Sequence, residues 1–377
     1  MATIFQHASF KSPYPYERHD KMASTPFKSI YLTENGDITV REIAEPYEPQ
    51  GEQALVKVQY SGINPGDYRH FFMGMNDFVM GYDFVGVVEK VGFDSPFKVG
   101  ELLMGETKPG HKRPTYQGAH QAYLLAEPYL TWRVPRYMNP LSAVSMVSVA
   151  QTAADALFNV MGFGFPAAGL EGDDPRGKAI LIWGGAAGCG FAAVQLAKAA
   201  GFGTIVFTAS EKNHAALREV GATHCFDYHS KTVVEDIRSA VAKEGIKLTA
   251  AFDAVSVGLG IFEPLTDAEK GVVEADYDRS TPALAKRCMS QPAAGEKLRL
   301  ALTLPVLRDP DWTFVIYSRK HYEQDLVDHP GWWQRQEKAV TWLIDNHKAA
   351  WRPLPNQRLV RDSAEAVKAI KDVFEGR

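Results

Sequence analysis

The feature that most constrains this chain is a glycine-rich turn between a buried apolar run and an amphipathic segment. The run covers residues 179–183 and the turn covers residues 184–190. Small residues let the backbone approach a pyrophosphate, while N–H groups and the dipole of the following helix stabilise its negative charge. In register with G-x-G-x-x-G, the three key positions are Gly185, Ala187 and Gly190. The segment predicts a dinucleotide-binding βαβ unit, with contacts from Gly185, Ala186, Ala187, Gly188, Cys189 and Gly190. A turn that only packs a helix on a strand is the alternative.

The end of the next apolar run predicts which nucleotide binds. That run, residues 204–208, ends about twenty residues beyond the glycines, where NAD-specific proteins place an acid on the ribose 2′-hydroxyl. Ser210 and Lys212 stand there instead, and a hydroxyl with a cation can accept a 2′-phosphate. We expect Glu211 to point away at the start of the next helix, while Lys212 could equally be a solvated helix residue. The sequence therefore predicts NADPH rather than NADH.

The pattern of apolar residues changes along the chain and predicts two domains. Residues 1–26 are polar without a period, which is typical of a flexible arm. Residues 27–155 alternate short β-branched segments with turn residues, which predicts an antiparallel, barrel-like domain. Residues 156–310 alternate apolar runs with amphipathic helices, which predicts a doubly wound parallel sheet; residues 311–377 add one strand and two helices. The predicted fold class is α/β.

Composition excludes several classes of function. The net charge is -4 and no long run of like charges occurs, so we expect neither nucleic acid nor anionic lipid as a partner. The longest weakly polar stretch, residues 141–170, is interrupted by polar residues and predicts no membrane span. The N-terminal residues do not resemble a secretory signal, so a cytosolic location is expected. The 3 cysteines form neither a disulfide framework nor a cysteine-rich zinc site.

Three further motifs carry a family resemblance. They are INPGDY at 63–68, GYDFVGVV at 81–88 and GATHCFDY at 221–228. Together with the glycine turn they resemble the zinc-free quinone oxidoreductase and enoyl reductase branch of the medium-chain dehydrogenase/reductase superfamily. Within that branch the chain is most similar to the trans-acting enoyl reductases that serve fungal polyketide synthases. The resemblance covers about residues 27–310.

The resemblance implies a fold and several site residues. It implies a GroES-like catalytic domain built from both chain ends, to which residues 311–377 return, with a Rossmann NADPH-binding domain between them. It also implies that Asn64 and Pro65 lie near the nicotinamide, that Thr152 lines the same cleft, and that Tyr228 contacts the adenosine end. Each has an alternative, because Asn64 before Pro65 is a common turn pair, Thr152 could face a helix interior and Tyr228 could be core.

The same resemblance bears on metal binding. Zinc alcohol dehydrogenases of the superfamily carry a Gly-His-Glu element and ligand cysteines, whereas this chain has Gly-Tyr-Asp at 81–83 and no cysteine before Cys189. Catalytic zinc needs three protein ligands. His70, His111 and His120 fall in the first domain without paired ligand spacing. We expect no bound metal.

The expected chemistry is hydride transfer from nicotinamide to the β-carbon of an α,β-unsaturated thioester or ketone. The reaction needs a donor for the developing oxyanion and a proton for the α-carbon. Candidates are Tyr68, Arg69 and Tyr82, with water as an alternative; Arg69 stands where many relatives have Lys, and a guanidinium is a poor proton donor. The predicted catalytic residues are Asn64, Tyr68, Arg69 and Thr152.

The substrate is predicted to be a small molecule or an acyl group tethered to a carrier protein, with a polyketide synthase as a possible partner. Two alternatives stay open. One is a free-standing quinone or alkenal reductase, and the other is a redox-silent binding protein that keeps the fold.

Overall fold

The chain forms two compact units. The computed structural model describes residues 2–7, 26–44, 47–109, 113–259, 276–306, 308–319 and 329–376. The antiparallel unit takes its described residues from Ala2–Ser148 and Asn356–Arg377. The parallel unit takes its described residues from Val149–Ile261 and Leu265–Pro355.

The strands follow one another in both units and are numbered along the chain. They are β1 Thr3–Gln6, β2 Phe27–Leu32, β3 Ile38–Ile43, β4 Ala54–Ile63, β5 Phe78–Val79, β6 Asp83–Val91, β7 Leu102–Glu106, β8 Tyr123–Ala126, β9 Thr131–Arg133, β10 Ala179–Trp183, β11 Thr204–Thr208, β12 His224–Phe226, β13 Leu248–Asp253, β14 Arg299–Leu302, β15 Trp312–Phe314 and β16 Arg358–Val360.

The α-helices are numbered in the same way. They are α1 Pro65–Phe72, α2 Pro140–Val144, α3 Val147–Ala154, α4 Gly188–Ala200, α5 His214–Val220, α6 Val233–Lys243, α7 Thr281–Arg287, α8 Trp332–Asp345, α9 His347–Ala350 and α10 Ser363–Phe374. A π-helical segment, Asp155–Val160, follows α3 directly.

The antiparallel unit contains a seven-stranded sheet in the order β16-β1-β4-β6-β7-β9, with β8 paired to β4, and a three-stranded sheet in the order β3-β2-β5. Its central strand β4 pairs with β1, β6 and β8, and the residues at both of its ends are buried. Helix α10 packs its small apolar face, Ala366 and Ala369, against the core that also contains Ile30 and Leu32 of β2. Ile63, the last residue of β4 before α1, belongs to the same core.

The parallel unit contains one six-stranded parallel sheet in the order β12-β11-β10-β13-β14-β15. All five residues of β10 are buried, as expected for a central strand covered on both faces. The strand order reverses between β10 and β13, and ligands of such sheets bind in the crevice at the carboxyl ends of the strands at this point. The predicted α/β class with a doubly wound sheet is confirmed.

Two of the predicted domain boundaries are wrong. The described residues between 311 and 355 lie in the parallel unit, because β15 adds to the sheet beside β14. Among the described residues of this tail, those after 355 return to the antiparallel unit. Residues 149–155 also belong to the parallel unit. The reason is packing: in α8, Gln336 donates to Gln151 O at 2.9 Å and Arg335 donates to Phe158 O at 2.7 Å.

The predicted N-terminal arm, residues 1–26, is also wrong in part. Residues 3–6 form β1, which pairs antiparallel with β4 and parallel with β16. Ile4 and Phe5 are buried, so the strand is part of the core. Residues 8–25 lie outside the described residues, as do 45 and 46.

Candidate functional site

The glycine turn joins β10 to α4 and requires glycine for steric reasons. Gly184 has φ +82°, a conformation that L side chains rarely adopt. A Cβ on Gly190 would lie 2.2 Å from the carbonyl oxygen of Gly184, and one on Gly185 would lie 3.0 Å from the Phe207 ring. The turn therefore holds helix and strand closer together than any larger residue allows. Gly184 is not among the three key positions of the G-x-G-x-x-G register. The Gly-Gly pair directly after an apolar run would have indicated it.

The turn leaves the first turn of α4 open for an anion. Ala187 is the N-cap residue of this 13-residue helix, and its side chain makes no capping hydrogen bond. The N–H groups at a helix start have no partner within the helix. Hydrogen bonds tie the turn to β11, because Gly184 N donates to Thr208 Oγ1 at 3.0 Å and Gly185 N donates to Thr208 O at 2.9 Å. Gly188 and Cys189 begin the helix. A close backbone and an uncapped helix start fit the pyrophosphate of a dinucleotide.

The predicted ribose-end residues come together after β11 and β12. Ser210 precedes a short 3₁₀ turn, Glu211–Asn213, and its Oγ lies 3.5 Å from the Tyr228 hydroxyl. Lys212 and Glu211 are both exposed. Tyr228 is 46% exposed and stacks obliquely on His229, so it is not a core residue. The exposed hydroxyls and the cation are compatible with a 2′-phosphate.

A cavity of about 580 Å³ opens beside Tyr228, between the start of α6 and helix α7. Its lining carries five cations and one carboxylate, although Lys286 is paired with Asp309 and Asp311. The charged lining residues are Lys231, Glu235, Arg238, Arg279, Lys286 and Arg287. The positive lining suits a phosphate-bearing ligand.

In the antiparallel unit, Asn64 stands between β4 and α1. Its backbone is extended (φ -121°, ψ 154°), as expected before Pro65, and its N–H donates to Asp67 Oδ2 at 2.7 Å. Its side-chain Nδ2 donates to Asp83 Oδ2 at 2.7 Å and lies 3.5 Å from Gly62 O. Asn64 is thus a turn residue before proline, as the alternative interpretation predicted. Its side chain is also hydrogen-bonded to Asp83, a carboxylate that is distant in sequence.

Asp83 is buried, and both of its carboxylate oxygens accept hydrogen bonds. Its Oδ1 accepts from Ser148 N at 3.1 Å and from Ser148 Oγ at 2.5 Å. Burial raises the pKa of Asp83 to about 6, although its hydrogen bonds with Ser148 and Asn64 oppose the shift. The Gly-Tyr-Asp element that replaces Gly-His-Glu therefore supplies a carboxylate to Asn64.

A further line of buried polar groups leads away from Asp67. His120 Nε2 lies 3.4 Å from Asp67 Oδ2, and His120 Nδ1 lies 2.9 Å from Ser61 Oγ. Ser61 Oγ in turn lies 3.3 Å from His7 Nε2. Burial lowers the pKa of His7 to about 3, with His120 adding to the shift. A Cβ on Gly81 would lie 2.5 Å from His120 Nδ1, so glycine at 81 admits the imidazole.

The remaining predicted catalytic residues lie in different surroundings. The Tyr68 hydroxyl donates to Gly36 O at 3.2 Å, and its ring packs edge-on against Phe374. The Arg69 guanidinium lies 6.0 Å from the centroid of the same Phe374 ring. Both side chains of α1 therefore contact α10, whereas Asn64 contacts β6. Thr152 is 8% exposed on α3, in the parallel unit.

Tyr82 has a partner that the sequence did not indicate. Its hydroxyl is hydrogen-bonded to His70 Nδ1, and the Arg113 guanidinium lies 4.6 Å from the centroid of its ring. Burial lowers the pKa of His70 to about 4, so this imidazole is neutral near pH 7. His111 lies outside the described residues.

Comparisons with known proteins agree with both units. Residues 50–136 match the family described as "Alcohol dehydrogenase GroES-like domain", and residues 188–261 match "Zinc-binding dehydrogenase". One match lies in each unit, and both families are domains of dehydrogenases. This confirms the resemblance and identifies the antiparallel unit as GroES-like and the parallel unit as Rossmann-type.

The chain is also similar to fungal enzymes. It is 29% identical over 194 residues to the "Trans-enoyl reductase himH" of Aspergillus japonicus, covering 50% of this chain and 56% of that protein. It is 33% identical over 216 residues to the "Trans-enoyl reductase sthE" of Phaeosphaeria nodorum, covering 56% and 57%. The match thus spans less than two thirds of these relatives.

A solved structure shares the fold. Mycobacterial Rv1454c, determined in complex with NADPH, is 18% identical with a TM-score of 0.60, covering 93% of this chain and 96% of that chain. Although one matched family is described as zinc-binding, the described residues contain no group of three or more His, Cys, Asp or Glu placed to hold a metal. No described helix has the length and apolar character needed to span a bilayer.

Proposed function

We propose that the chain is a zinc-independent, NADPH-dependent reductase that delivers hydride to the β-carbon of an α,β-unsaturated acyl thioester or ketone. The carrying observation is the glycine turn at the uncapped start of α4, which fits a dinucleotide. The names of the fungal relatives, trans-enoyl reductases, favour an enoyl substrate over a diffusible quinone or alkenal. A polyketide synthase that presents the substrate as a thioester is the partner that the family resemblance implies. A cytosolic location stays a prediction.

The proposed cofactor contacts are divided between its two ends. The backbone of residues 185–190 would hold the pyrophosphate, and Ser210, Lys212 and Tyr228 would hold the phosphorylated ribose. Bound NADPH would supply the hydride. NADPH is favoured over NADH because Ser210 and Lys212 replace the usual acid and because the nearby cavity is lined mainly by cations. The NADPH complex of Rv1454c supports the same choice.

The proposed catalytic residues orient the substrate and handle charge. Asn64 and Pro65 are assigned to the nicotinamide end, and Thr152 is assigned to the same reaction centre. Tyr68, Arg69 and Tyr82 stay candidates for stabilising the oxyanion or delivering the proton. In the structure the side chains of Tyr68 and Arg69 both pack against Phe374 of α10. To act on the substrate, either side chain would have to rotate away from Phe374.

Deuterated NADPH tests the reaction directly. With an α,β-unsaturated acyl thioester as substrate, we expect the label at the β-carbon, measured by mass spectrometry and NMR. Asn64→Ala should lower turnover more than it weakens NADPH binding. Asn139→Ala is the matched control, because Asn139 is also a helix N-cap residue, accepting from Leu141 N at 2.9 Å.

The outcomes separate the alternatives. Label transfer to quinones or alkenals but not to thioesters would favour a free-standing reductase. Tight NADPH binding without transfer to any acceptor would favour a redox-silent binding protein.

The metal content is tested separately. We expect elemental analysis of the purified protein to find no stoichiometric zinc, and chelators to leave turnover unchanged, since Tyr82 is hydrogen-bonded to His70 in the element where zinc enzymes carry a histidine ligand. One tightly bound zinc per chain would reopen alcohol oxidation as the reaction.

A further inference from the structure

The side-chain amide of Asn64 has a defined orientation. Its Nδ2 faces two acceptors, Asp83 Oδ2 at 2.7 Å and Gly62 O at 3.5 Å. An amide has two N–H donors on nitrogen and only acceptor lone pairs on oxygen. Both surrounding oxygens therefore select the same orientation, with the nitrogen toward Asp83. The carbonyl oxygen Oδ1 lies on the other side, where it meets the backbone N–H of Asp67 in a capping box; its second lone pair is not used by that contact.

The position of Asp83 is set by the pairing of β6, which carries it, with β4, which ends just before Asn64. Gly62 of β4 pairs directly with Asp83 of β6, and a Cβ on Gly62 would lie 3.0 Å from Asp83 Cβ. Glycine at 62 therefore leaves the space in which the Asp83 carboxylate reaches the Asn64 amide. The other carboxylate oxygen is held by the backbone and hydroxyl of Ser148.

A turn before proline does not explain this arrangement. The extended backbone of Asn64 satisfies the steric demand of Pro65 without any carboxylate. Asp83 is only 4% exposed, and a buried carboxylate is costly unless its hydrogen bonds compensate. An apolar residue at 83 would avoid that cost, so the carboxylate needs a separate reason.

We propose that Asp83 is a positioning residue that fixes the Asn64 amide with its nitrogen inward, so that Asn64 offers a hydrogen-bond acceptor to the bound ligand. The ligand group would be a hydroxyl or amide N–H of the cofactor or substrate, and this identity rests on the proposed function. Asn64 is then unsuited to donate to the developing oxyanion, a task that passes to other groups.

Exchanging the two residues tests this directly. In Asp83→Asn, two amide nitrogens face each other, so the Asn64 amide is expected to turn over and present a donor. In Asn64→Asp, two carboxylates face each other. In the exchanged variant Asn64→Asp/Asp83→Asn, the new amide can donate to residue 64 while its oxygen accepts from Ser148, and residue 64 again offers an acceptor.

We expect each single variant to weaken NADPH binding by about tenfold, because a buried polar group is left without its partner. The NADPH affinity of the exchanged variant should return to within about threefold of that of the wild type, because the effects of substitutions at contacting residues are not additive. The thermal unfolding midpoint should follow the same pattern. The matched control is Asn64→Asp/Asp253→Asn. Asp253 is also buried, but it is hydrogen-bonded to Thr281, so this double variant should not recover the NADPH affinity lost in Asn64→Asp.

An exchanged variant that binds NADPH no better than the weaker single variant overturns the proposal. If Asp83→Asn does not fold, an exchanged variant that folds and binds NADPH supports it, and one that does not fold overturns it. If the wild type itself binds no NADPH, the proposed function has failed instead. In that case the NMR signal of the Asn64 side-chain amide tests the orientation without a ligand. Its chemical shift should change in Asp83→Asn, and an unchanged shift would show that Asp83 does not orient the amide.

Discussion

The glycine turn and the surroundings of Asn64 show two different ways of building a binding site. At the turn, residues 184–190 are contiguous, and the site depends on backbone geometry. Gly190 approaches Gly184, and the first N–H groups of α4 have neither a partner within the helix nor a side-chain cap. Around Asn64, the groups come from separate elements: Asp67 from α1, Asp83 from β6 and Ser148 from α3.

The difference concerns what a mutation can disturb. A backbone site fails when a side chain takes the space of the backbone, whatever the chemistry of that side chain. A side-chain site fails when donors and acceptors no longer match, even if the shape is kept. The following predictions separate these two kinds of failure.

The largest effect is expected from Gly190→Val. Its Cβ would lie 2.2 Å from a backbone oxygen that cannot move aside without opening the turn. We expect a loss of about 3 kcal/mol in the free energy of unfolding and at least about a hundredfold loss of NADPH affinity. Thermal denaturation and fluorescence titration measure both.

Gly188→Ala is the control for that prediction. Its Cβ would lie 2.9 Å from a methyl group of Val149, which can shift. It should cost clearly less than Gly190→Val. Equal losses from both variants would show that the turn is generally intolerant and not limited by the Gly184–Gly190 approach.

The next effect concerns the dependence of stability on pH at Asp83. Burial raises the pKa of Asp83 to about 6 from 3.8, against hydrogen bonds from Ser148 and Asn64 and with a small contribution from Asp67. The folded state thus favours the protonated form of Asp83. The contribution of this group to the free energy of unfolding is therefore complete below pH 3.8 and is lost as the pH rises to about 6. The free energy of unfolding of the wild type, minus that of Asp83→Asn, should fall by on the order of 3 kcal/mol over that range.

Urea denaturation at intervals between pH 4 and 7 measures this difference. Taking the difference cancels the opposite contribution of buried histidines, such as His7, whose lowered pKa makes stability rise with pH. A difference independent of pH would mean that Asp83 titrates alike in the folded and unfolded states.

The smallest effect is expected at the exposed ribose end. Lys212→Ala should weaken NADPH binding by about tenfold, through loss of one charge-assisted hydrogen bond, and leave NADH binding unchanged. The wild type should bind NADPH more tightly than NADH in the same titrations. Lys243→Ala, another exposed lysine at the end of α6, is the control and should change neither affinity. Equal weakening of both cofactors would remove Lys212 from the 2′-phosphate site.

Much of the secondary structure could be predicted from the sequence, because it depends on local patterns. Apolar runs predicted β10 and β11 with the bounds that the structure has. The glycine turn was predictable for the same reason, since strand, turn and helix start are consecutive. The sequence also predicted that Ser210 and Tyr228 share a region, through the family motif that ends at Tyr228.

Only the tertiary structure decided which distant segments meet. Strand β1 pairs with β4 and β16, and β15 adds to the parallel sheet, because strand pairing joins segments that no local pattern links. Asn64 and Asp83 are brought together by the register of β4 against β6, which places Gly62 opposite Asp83. The sequence determined the local elements and the shape of the glycine turn; the pairing of strands decided the partners of Asn64, because a hydrogen bond between side chains depends on the positions of both.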